Sequence, residues 1–174
     1  MNIKTKQLVL YSLFAALTAI LSQISIPLPF TPVPINLATL SVLLSGAILG
    51  KNGGVISQLV YVLLGAIGLP VFAGFSSGIQ IILGPTGGYI IGYIVAAFIV
   101  GIITEKYSKS LMTYIISMIL GIIACYILGT AWFIHVTGSG LVAALTMCVF
   151  PFIIGDIIKI AAGSFLARRL RKII

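Results

Sequence analysis

Long apolar runs, separated by short polar or proline-rich breaks, dominate this chain. A membrane-spanning helix takes ~20 mostly apolar residues, so each of six runs is predicted to be one. The predicted spans are residues 7–25, 35–50, 55–69, 89–104, 111–133 and 151–167, with a short helix over 141–149 before the sixth. These spans predict an all-α integral membrane protein with a single domain, residues 1–174.

The breaks between the runs carry turn residues. Four prolines in IPLPFTPVP (26–34) exclude a helix there, and KNGG (51–54) predicts a turn. The second, third and fourth spans reach only ~24 Å, short of a ~30 Å hydrocarbon core. The neighbouring loops, above all the weakly polar 71–88, are therefore expected to fold back into the protein at membrane depth. We expect a ligand site at such a place.

Composition supports a membrane protein. Apolar residues make up 60% of the chain and charged residues only 7%, against ~25% charged in a soluble domain. Twelve charges cannot solvate that much apolar surface, which excludes a soluble enzyme and a nucleic-acid-binding domain. Cys125 and Cys148 lie in apolar runs without metal-ligand spacing, so packed free thiols are expected and no metal site.

The basic residues predict the orientation. Nine of the ten lie at the N-terminus, at the C-terminus, or in the loops after the second and fourth spans: Lys4, Lys6, Lys51, Lys106, Lys109, Arg168, Arg169, Arg171 and Lys172. The other loops have none. Because cytoplasmic loops are enriched in Lys and Arg, both termini are predicted to be cytoplasmic. The net charge of +8 is then an orientation signal and not a sign of nucleic-acid binding.

Two charges lie inside the spans. Asp156 and Lys159 are three residues apart in the sixth span and share a helix face. Intramembrane charges are costly and are normally paired and turned inward, so they predict the polar part of an otherwise apolar pocket. A pair that only orients the helix is the alternative. Glu105, the other acidic residue, is expected to be a solvated loop charge.

The pocket is expected in the outer third of the membrane. Asp156 precedes Arg168 by ~18 Å of helix, which puts it ~12 Å below the outer surface of a ~30 Å core. Such a pocket would capture something extracellular. Further polar candidates on that side are Asn36, Gln80, Thr86, Tyr89, Gln58 and His135. Most of them have a structural alternative. Asn36 is equally suited to capping a helix, and Gln80 and Thr86 to hydrogen-bonding the backbone of their own loop. Tyr89 and His135 are equally suited to a position at the membrane interface.

Small residues at four-residue spacing predict close helix contacts. Gly46 and Gly50 have this spacing, as do Gly84, Gly88 and Gly92, and internal packing is the preferred explanation. Ala15 and Ala19 in the first span could equally contact a partner in the membrane. No P-loop, hydrolase motif or chain of intramembrane acids is present in the sequence, so an energy source would have to come from a partner.

Several longer strings resemble one family. PFTPVPINL, LLSGAILGKNGG, LLGAIGLPVFAGF, GPTGGYIIGY and PFIIGDIIK occur in this order between residues 29 and 159. They resemble the BioY family, the biotin-specific substrate-binding (S) components of energy-coupling-factor (ECF) vitamin transporters. The resemblance implies the six-helix S-component fold, capture of biotin from outside, and a prokaryotic plasma membrane.

The resemblance also implies roles for individual residues. Asp156 and Lys159 would help to hold biotin, and the GPTGGY string brings Thr86, Gly87 and Tyr89 toward it. Ala15 and Ala19 would dock on a transmembrane coupling subunit that works with two ATPase subunits. ATP would be used by those partners, and this chain would need no cofactor.

One departure affects the second span. The family often has PITLQ after the proline-rich segment, whereas this chain has PINLA, with Asn36 and Ala38. Two alternatives stay open: an S component for another vitamin, and a stand-alone secondary carrier. An enzyme is the least favoured class, because no nucleophile or general base is evident.

Overall fold

The structure, a computed structural model, describes residues 5–107 and 110–171. Lys4, Lys109 and Lys172, which the charge pattern assigned to the cytoplasm, lie outside these ranges. The described part is mainly helical, with α1 Thr5–Gln23, α2 Ala38–Ala66, α3 Ile79–Leu83, α4 Gly87–Lys106, α5 Leu111–Thr137, α6 Leu141–Cys148 and α7 Ile153–Leu170. Within it, five helical stretches are long and apolar enough to cross a membrane: α1, α2, α4, α5 and α6–α7 together.

The long helix α2 consists of two legs. Gly50 has a non-helical backbone with φ +76°, a conformation that glycine adopts without steric cost. Gln58 Nε2 donates a hydrogen bond to Ser45 Oγ at 3.1 Å, although 13 residues would span ~20 Å of straight helix. The chain therefore reverses direction at Gly50, and the legs 38–49 and 51–66 pack against each other.

The predicted turn at KNGG is wrong in its position. The reversal occurs at Gly50, and residues 51–54 already form the first turn of the second leg. Glu105 Oε1 accepts a hydrogen bond from the Lys51 backbone N–H at 3.0 Å, which satisfies a donor that helix starts leave unpaired. Glu105 is thus more than a solvated loop charge, because it caps this leg.

The proline-rich loop contains no helix, as predicted, but it forms an antiparallel hairpin that was not predicted. Strand β1 (Ser25–Leu28) pairs with β2 (Thr31–Asn36), and Ser25 lies opposite Asn36. Prolines are tolerated because both strands of a two-stranded sheet are edge strands, each with one side that needs no hydrogen-bond partner. We call the end of the molecule that carries this hairpin the hairpin end.

The segment between α2 and α4 also turns back into the protein, as its apolar character predicted. It contains a single 3₁₀ turn, Ala73–Phe75, and the short helix α3. Phe72 is only 2% exposed, and its ring meets the Tyr61 ring edge-on at 5.6 Å between centroids. This buried aromatic anchors the segment near the hairpin end.

The opposite end carries the basic residues. Arg171 Nη1 donates to the carbonyl oxygens of Ala47 and Thr104, at 3.1 and 3.2 Å. These carbonyls belong to the ends of the first α2 leg and of α4, so the last residue of the described chain caps two helices. We call this the basic end, defined by Lys51 and Arg171.

The centre of the bundle is formed by α2, α4 and α5. Helix α4 packs between α2 and α5, α7 contacts both α2 and α5, and α1 packs mainly against α2. The predicted packing role of the glycines is confirmed at Gly92, whose Cα faces Cys125, and at Gly46, which abuts Gly54 of the other α2 leg. Cys125 and Cys148 are buried free thiols.

Candidate ligand-binding site

Asp156 and Lys159 form an ion pair inside the bundle. Both residues are 6% exposed, and Lys159 Nζ lies 2.9 Å from Asp156 Oδ1. They are one turn apart on α7, as their spacing in the sequence predicted. A buried charge is tolerated only when it is paired and its remaining hydrogen-bond sites are satisfied.

Two neighbouring helices complete the hydrogen bonding of this pair. Lys159 Nζ donates to Thr39 Oγ1 at 2.9 Å, from the start of α2. Tyr126 of α5 donates its phenol hydroxyl to Asp156 Oδ2. Thr39 and Tyr126 were not predicted, because a threonine or a tyrosine in an apolar span is common and only the packing of α2 and α5 against α7 shows what each side chain meets.

Tyr126→Phe should destabilise the protein by about 1–3 kcal/mol, because it leaves a buried carboxylate oxygen without its donor. Thermal unfolding of the detergent-solubilised variant measures the effect. Tyr107→Phe is a matched control, since Tyr107 is an exposed tyrosine at the basic end. Equal stability of the two variants would contradict a structural role of the Tyr126 hydroxyl.

Two adjoining cavities lie between the ion pair and the hairpin end. The larger has a volume of about 210 Å³, and the smaller, of about 50 Å³, reaches Asp156 and Lys159. Together they approach the lower end of the ~300–1,000 Å³ typical of small-molecule pockets. Both are lined by the same five residues, Val33, Pro34, Asn36, Tyr89 and Tyr93. The hairpin and α4 therefore connect the two cavities into one elongated site.

Four aromatic side chains contribute to the walls of the larger cavity, beside aliphatic and polar residues. Tyr61, Phe72, Tyr89 and Tyr93 line it, with Thr86 at the end near α3. Tyr89 is 8% exposed and its hydroxyl lies 3.0 Å from Thr130 Oγ1, so the alternative of an interfacial anchor is wrong for this residue. Tyr61, Phe72 and Tyr93 were not predicted, since aromatic residues in apolar spans are more often ordinary core.

The predicted site residues divide into two groups. Asp156, Lys159, Asn36, Thr86 and Tyr89 line the two cavities. Asn36 Oδ1 accepts from the Ala38 backbone N–H at 3.1 Å, an Asx turn just before α2, whose N-cap residue is Leu37 and not Asn36. This bond engages the oxygen of the Asn36 amide.

Two predicted residues do not line either cavity. The exposed Gln80 donates from Nε2 to the Ser77 carbonyl at 2.8 Å, so its side chain folds back on its own loop. Gly87 packs against the backbone of Ile82, which allows the start of α4 to lie close to α3. The structure thus separates Gln80 and Gly87 from the ion pair.

Two weaker candidates are also distant from the site. Gln58 is fully buried and donates to Thr18 and Ser45, between α1 and α2. His135 is exposed near the hairpin end of α5, next to the Trp132 ring. Across residues 5–107 and 110–171, no three His, Cys, Asp or Glu side chains come together as a metal site would require.

The two alanines of α1 occupy different environments. Ala15 is 2% exposed and belongs to the chain's own core, so the structure does not support its predicted contact with a partner. Ala19 is half-buried. The exposed face of α1 carries Val9, Leu13 and Ile20 instead.

Comparisons with known proteins agree on one family. The family model described as BioY family matches residues 1–174, the whole chain. The chain belongs to the BioY family. A probable biotin transporter BioY of Pyrococcus horikoshii is 42% identical over 168 residues, covering 97% of this chain and 98% of the relative. The biotin transporter BioY of Thermotoga maritima is 39% identical over 171 residues, with 97% of each chain covered.

A solved structure matches the fold of this BioY chain. It is the crystal structure, at 2.1 Å, of the S-component for biotin from an ECF-type ABC transporter. The TM-score is 0.91 at 31% sequence identity, and the match covers 98% of this chain and 95% of the other. The resemblance found in the sequence strings is thereby confirmed over nearly the full length.

Proposed function

We propose that this BioY chain is the biotin-capturing S component of an ECF-type transporter in the plasma membrane of a prokaryote. The BioY relatives and the matching S-component structure support this function. It is a transporter component and not an enzyme. The observation that carries the proposal is the elongated cavity, which has a buried Asp156–Lys159 pair at its base and aromatic walls above it.

The chemistry of biotin suits this cavity. Its ureido ring offers two N–H donors and a carbonyl acceptor, while the thioether ring and the aliphatic chain are apolar. Asp156 accepts from a ureido N–H, and Lys159 donates to an oxygen of the ligand. Tyr61, Phe72 and Tyr93 supply apolar contact area. A pocket that needs both a donor and an acceptor discriminates strongly against analogues that lack either group.

The proposed topology has six spans and two cytoplasmic termini. It counts the two legs of α2 separately, together with α1, α4, α5 and α7. The basic end carries Lys51, Lys106 and Arg171, while the segments at the hairpin end, 24–36, 67–86 and 137–141, contain no Lys or Arg. This asymmetry supports a cytoplasmic basic end and a cavity near the outer surface.

The proposed partners are a transmembrane coupling subunit and two ATPase subunits. The ECF-type ABC transporter of the matching structure supports such an assembly, and the absence of a P-loop from this sequence is compatible with ATP use by partners. The docking surface would lie on α1, where Ala19 is half-buried and the neighbouring apolar side chains are exposed.

Calorimetric titration of the detergent-purified chain with biotin tests the proposal, and 1:1 binding by the chain alone is expected. Biotin amide, with a neutral chain end, and 2-iminobiotin, with an altered ureido carbonyl, identify the group that meets Lys159. Whichever analogue loses the Lys159 bond should bind at least tenfold more weakly, which is about 1.4 kcal/mol. No biotin binding by protein shown to be folded, or equal binding of another vitamin, would contradict the proposed function.

A further inference from the structure

The segment 71–76, between α2 and α3, lines the larger cavity. Phe72, Ala73 and Ser76 are among the residues that line this cavity, so the segment forms part of its wall at the hairpin end. The backbone N–H of Phe72 donates to the Ser76 carbonyl at 3.1 Å, which closes the segment into a small loop. We call residues 71–76 the roof segment.

The last residue of α1 holds the roof segment in place. Gln23 Nε2 lies 3.1 Å from the carbonyl oxygens of both Val71 and Phe72, and Gln23 Oε1 accepts from the Phe75 backbone N–H at 2.8 Å. The preceding residue adds a bond, since Ser22 Oγ donates to the Val71 carbonyl at 2.6 Å. Gln23 Nε2 also lies 3.1 Å from the Ala19 carbonyl oxygen and 3.0 Å from Ser22 Oγ, so α1 and the roof segment share its two hydrogens, while Oε1 accepts from the roof backbone.

The backbone of the roof segment is strained where Gln23 binds it. Phe75 has φ +55°, in the left-handed region that costs a non-glycine residue roughly 1–2 kcal/mol. Its side chain is 71% exposed, so burial of the ring does not offset this cost. Strained backbone persists only where its surroundings hold it, and the bond from the Phe75 N–H to Gln23 is the contact that does so here.

We infer that Gln23 is a positioning residue that clamps the roof segment over the cavity and thereby slows release of the ligand. The ligand part of this inference rests on the proposed function, whereas the clamp itself does not. Helix α1 packs mainly against α2. Since Gln23 ends α1 and is hydrogen-bonded to the roof segment, a shift of α1 relative to the bundle would displace the roof segment as well.

Two variants of Gln23 separate the effect of its hydrogen bonds from the effect of its side-chain volume. Gln23→Ala removes every bond from Gln23 to the roof segment and leaves the bond from Ser22 to Val71. Gln23→Glu keeps the size and the acceptor for Phe75, but it turns a carboxylate oxygen toward the carbonyls of Val71 and Phe72 in place of a donor. Ser12→Ala is the control on the same helix, since Ser12 is exposed and donates to the Leu8 carbonyl within its own helix.

Hydrogen exchange of the ligand-free protein in detergent, followed by mass spectrometry, is the first readout. In both Gln23 variants the peptide that covers 71–76 should exchange at least tenfold faster, while α4 and α5 exchange as in the wild type and Ser12→Ala changes nothing. The second readout is the dissociation rate of biotin, expected to rise at least fivefold. If Gln23→Ala accelerates exchange throughout the protein, that variant is destabilised as a whole. The exchange of residues 71–76 in Gln23→Glu, which keeps the side-chain size, then tests the clamp.

The outcomes distinguish the clamp from the proposed function. Unchanged exchange of the roof segment in the folded variants would overturn the clamp, whether or not biotin binds. Faster exchange with an unchanged dissociation rate would overturn the role of the clamp in retaining the ligand. A wild-type chain that does not bind biotin would instead contradict the proposed function, and the exchange data would still stand.

Discussion

Lys159→Met should weaken biotin binding about thirtyfold or more, which corresponds to about 2 kcal/mol, the lower limit for truncating one partner of a buried hydrogen-bonded charge pair. The change removes the donor at the base of the cavity and leaves Asp156 with Tyr126 as its remaining hydrogen-bond partner in the described structure. Asp156→Asn should have a comparable effect, because it leaves the Lys159 ammonium without its counter-charge. Calorimetric titration with biotin measures both effects, with thermal unfolding in parallel.

The double variant Asp156→Asn/Lys159→Met separates binding from stability. Each single change leaves one unpaired buried charge and should also lower stability, whereas the double change leaves none. Its unfolding temperature should therefore return to the wild-type value or exceed it, while its biotin affinity stays low. Wild-type affinity in either single variant, or in the double variant, would show that the pair serves only to orient α7.

The sequence predicts the spans well because the length and apolar composition of each run suffice to indicate a membrane-spanning helix. The start of α5 and both ends of α6 lie within one residue of the prediction, whereas α5 ends at Thr137, four residues beyond its predicted end. The hairpin β1–β2 was missed, because proline excludes a helix without showing that two edge strands pair. The turn at Gly50 was misplaced within KNGG, since the glycines 53 and 54 serve helix contact and not the reversal.

The candidate site was predictable only where the residue type is rare. Asp156 and Lys159 are conspicuous because charges inside an apolar span are costly. Tyr126, Thr39 and Tyr93 are ordinary in such spans, and their roles depend on which helices pack together. Gln23 is an ordinary helix-end glutamine in the sequence, and its partners in the roof segment lie 48 to 52 residues away.

The residues that line the site belong to separate helical segments. Asp156 and Lys159 lie on α7, Thr39 on the first leg of α2, and Tyr61 on the second leg. The relative position of the two legs therefore decides whether the ion pair and the aromatic walls enclose one cavity. That position depends on the Gly46–Gly54 contact, where backbone meets backbone.

Gly54→Ala should accordingly destabilise the whole bundle. A Cβ at residue 54 would lie 2.9 Å from Gly46 Cα and 3.1 Å from Gly46 N, and backbone atoms cannot move aside as a side-chain end can. Overpacking of this kind typically costs ~1–3 kcal/mol, and Gly54→Val should cost more. The Ser45–Gln58 hydrogen bond, which joins the same two legs, should weaken as they separate.

Gly155→Ala is the matched control, because a Cβ there meets nothing within 4 Å. It should leave stability unchanged or raise it by up to about 1 kcal/mol, since alanine is the better helix former. Thermal unfolding in detergent, read as loss of the monodisperse size-exclusion peak, should show an unfolding temperature of Gly54→Ala that is lower than that of Gly155→Ala by at least roughly 2 °C. Equal unfolding temperatures would mean that the two legs of α2 tolerate separation, and the close packing at Gly46 would then not set the shape of the cavity.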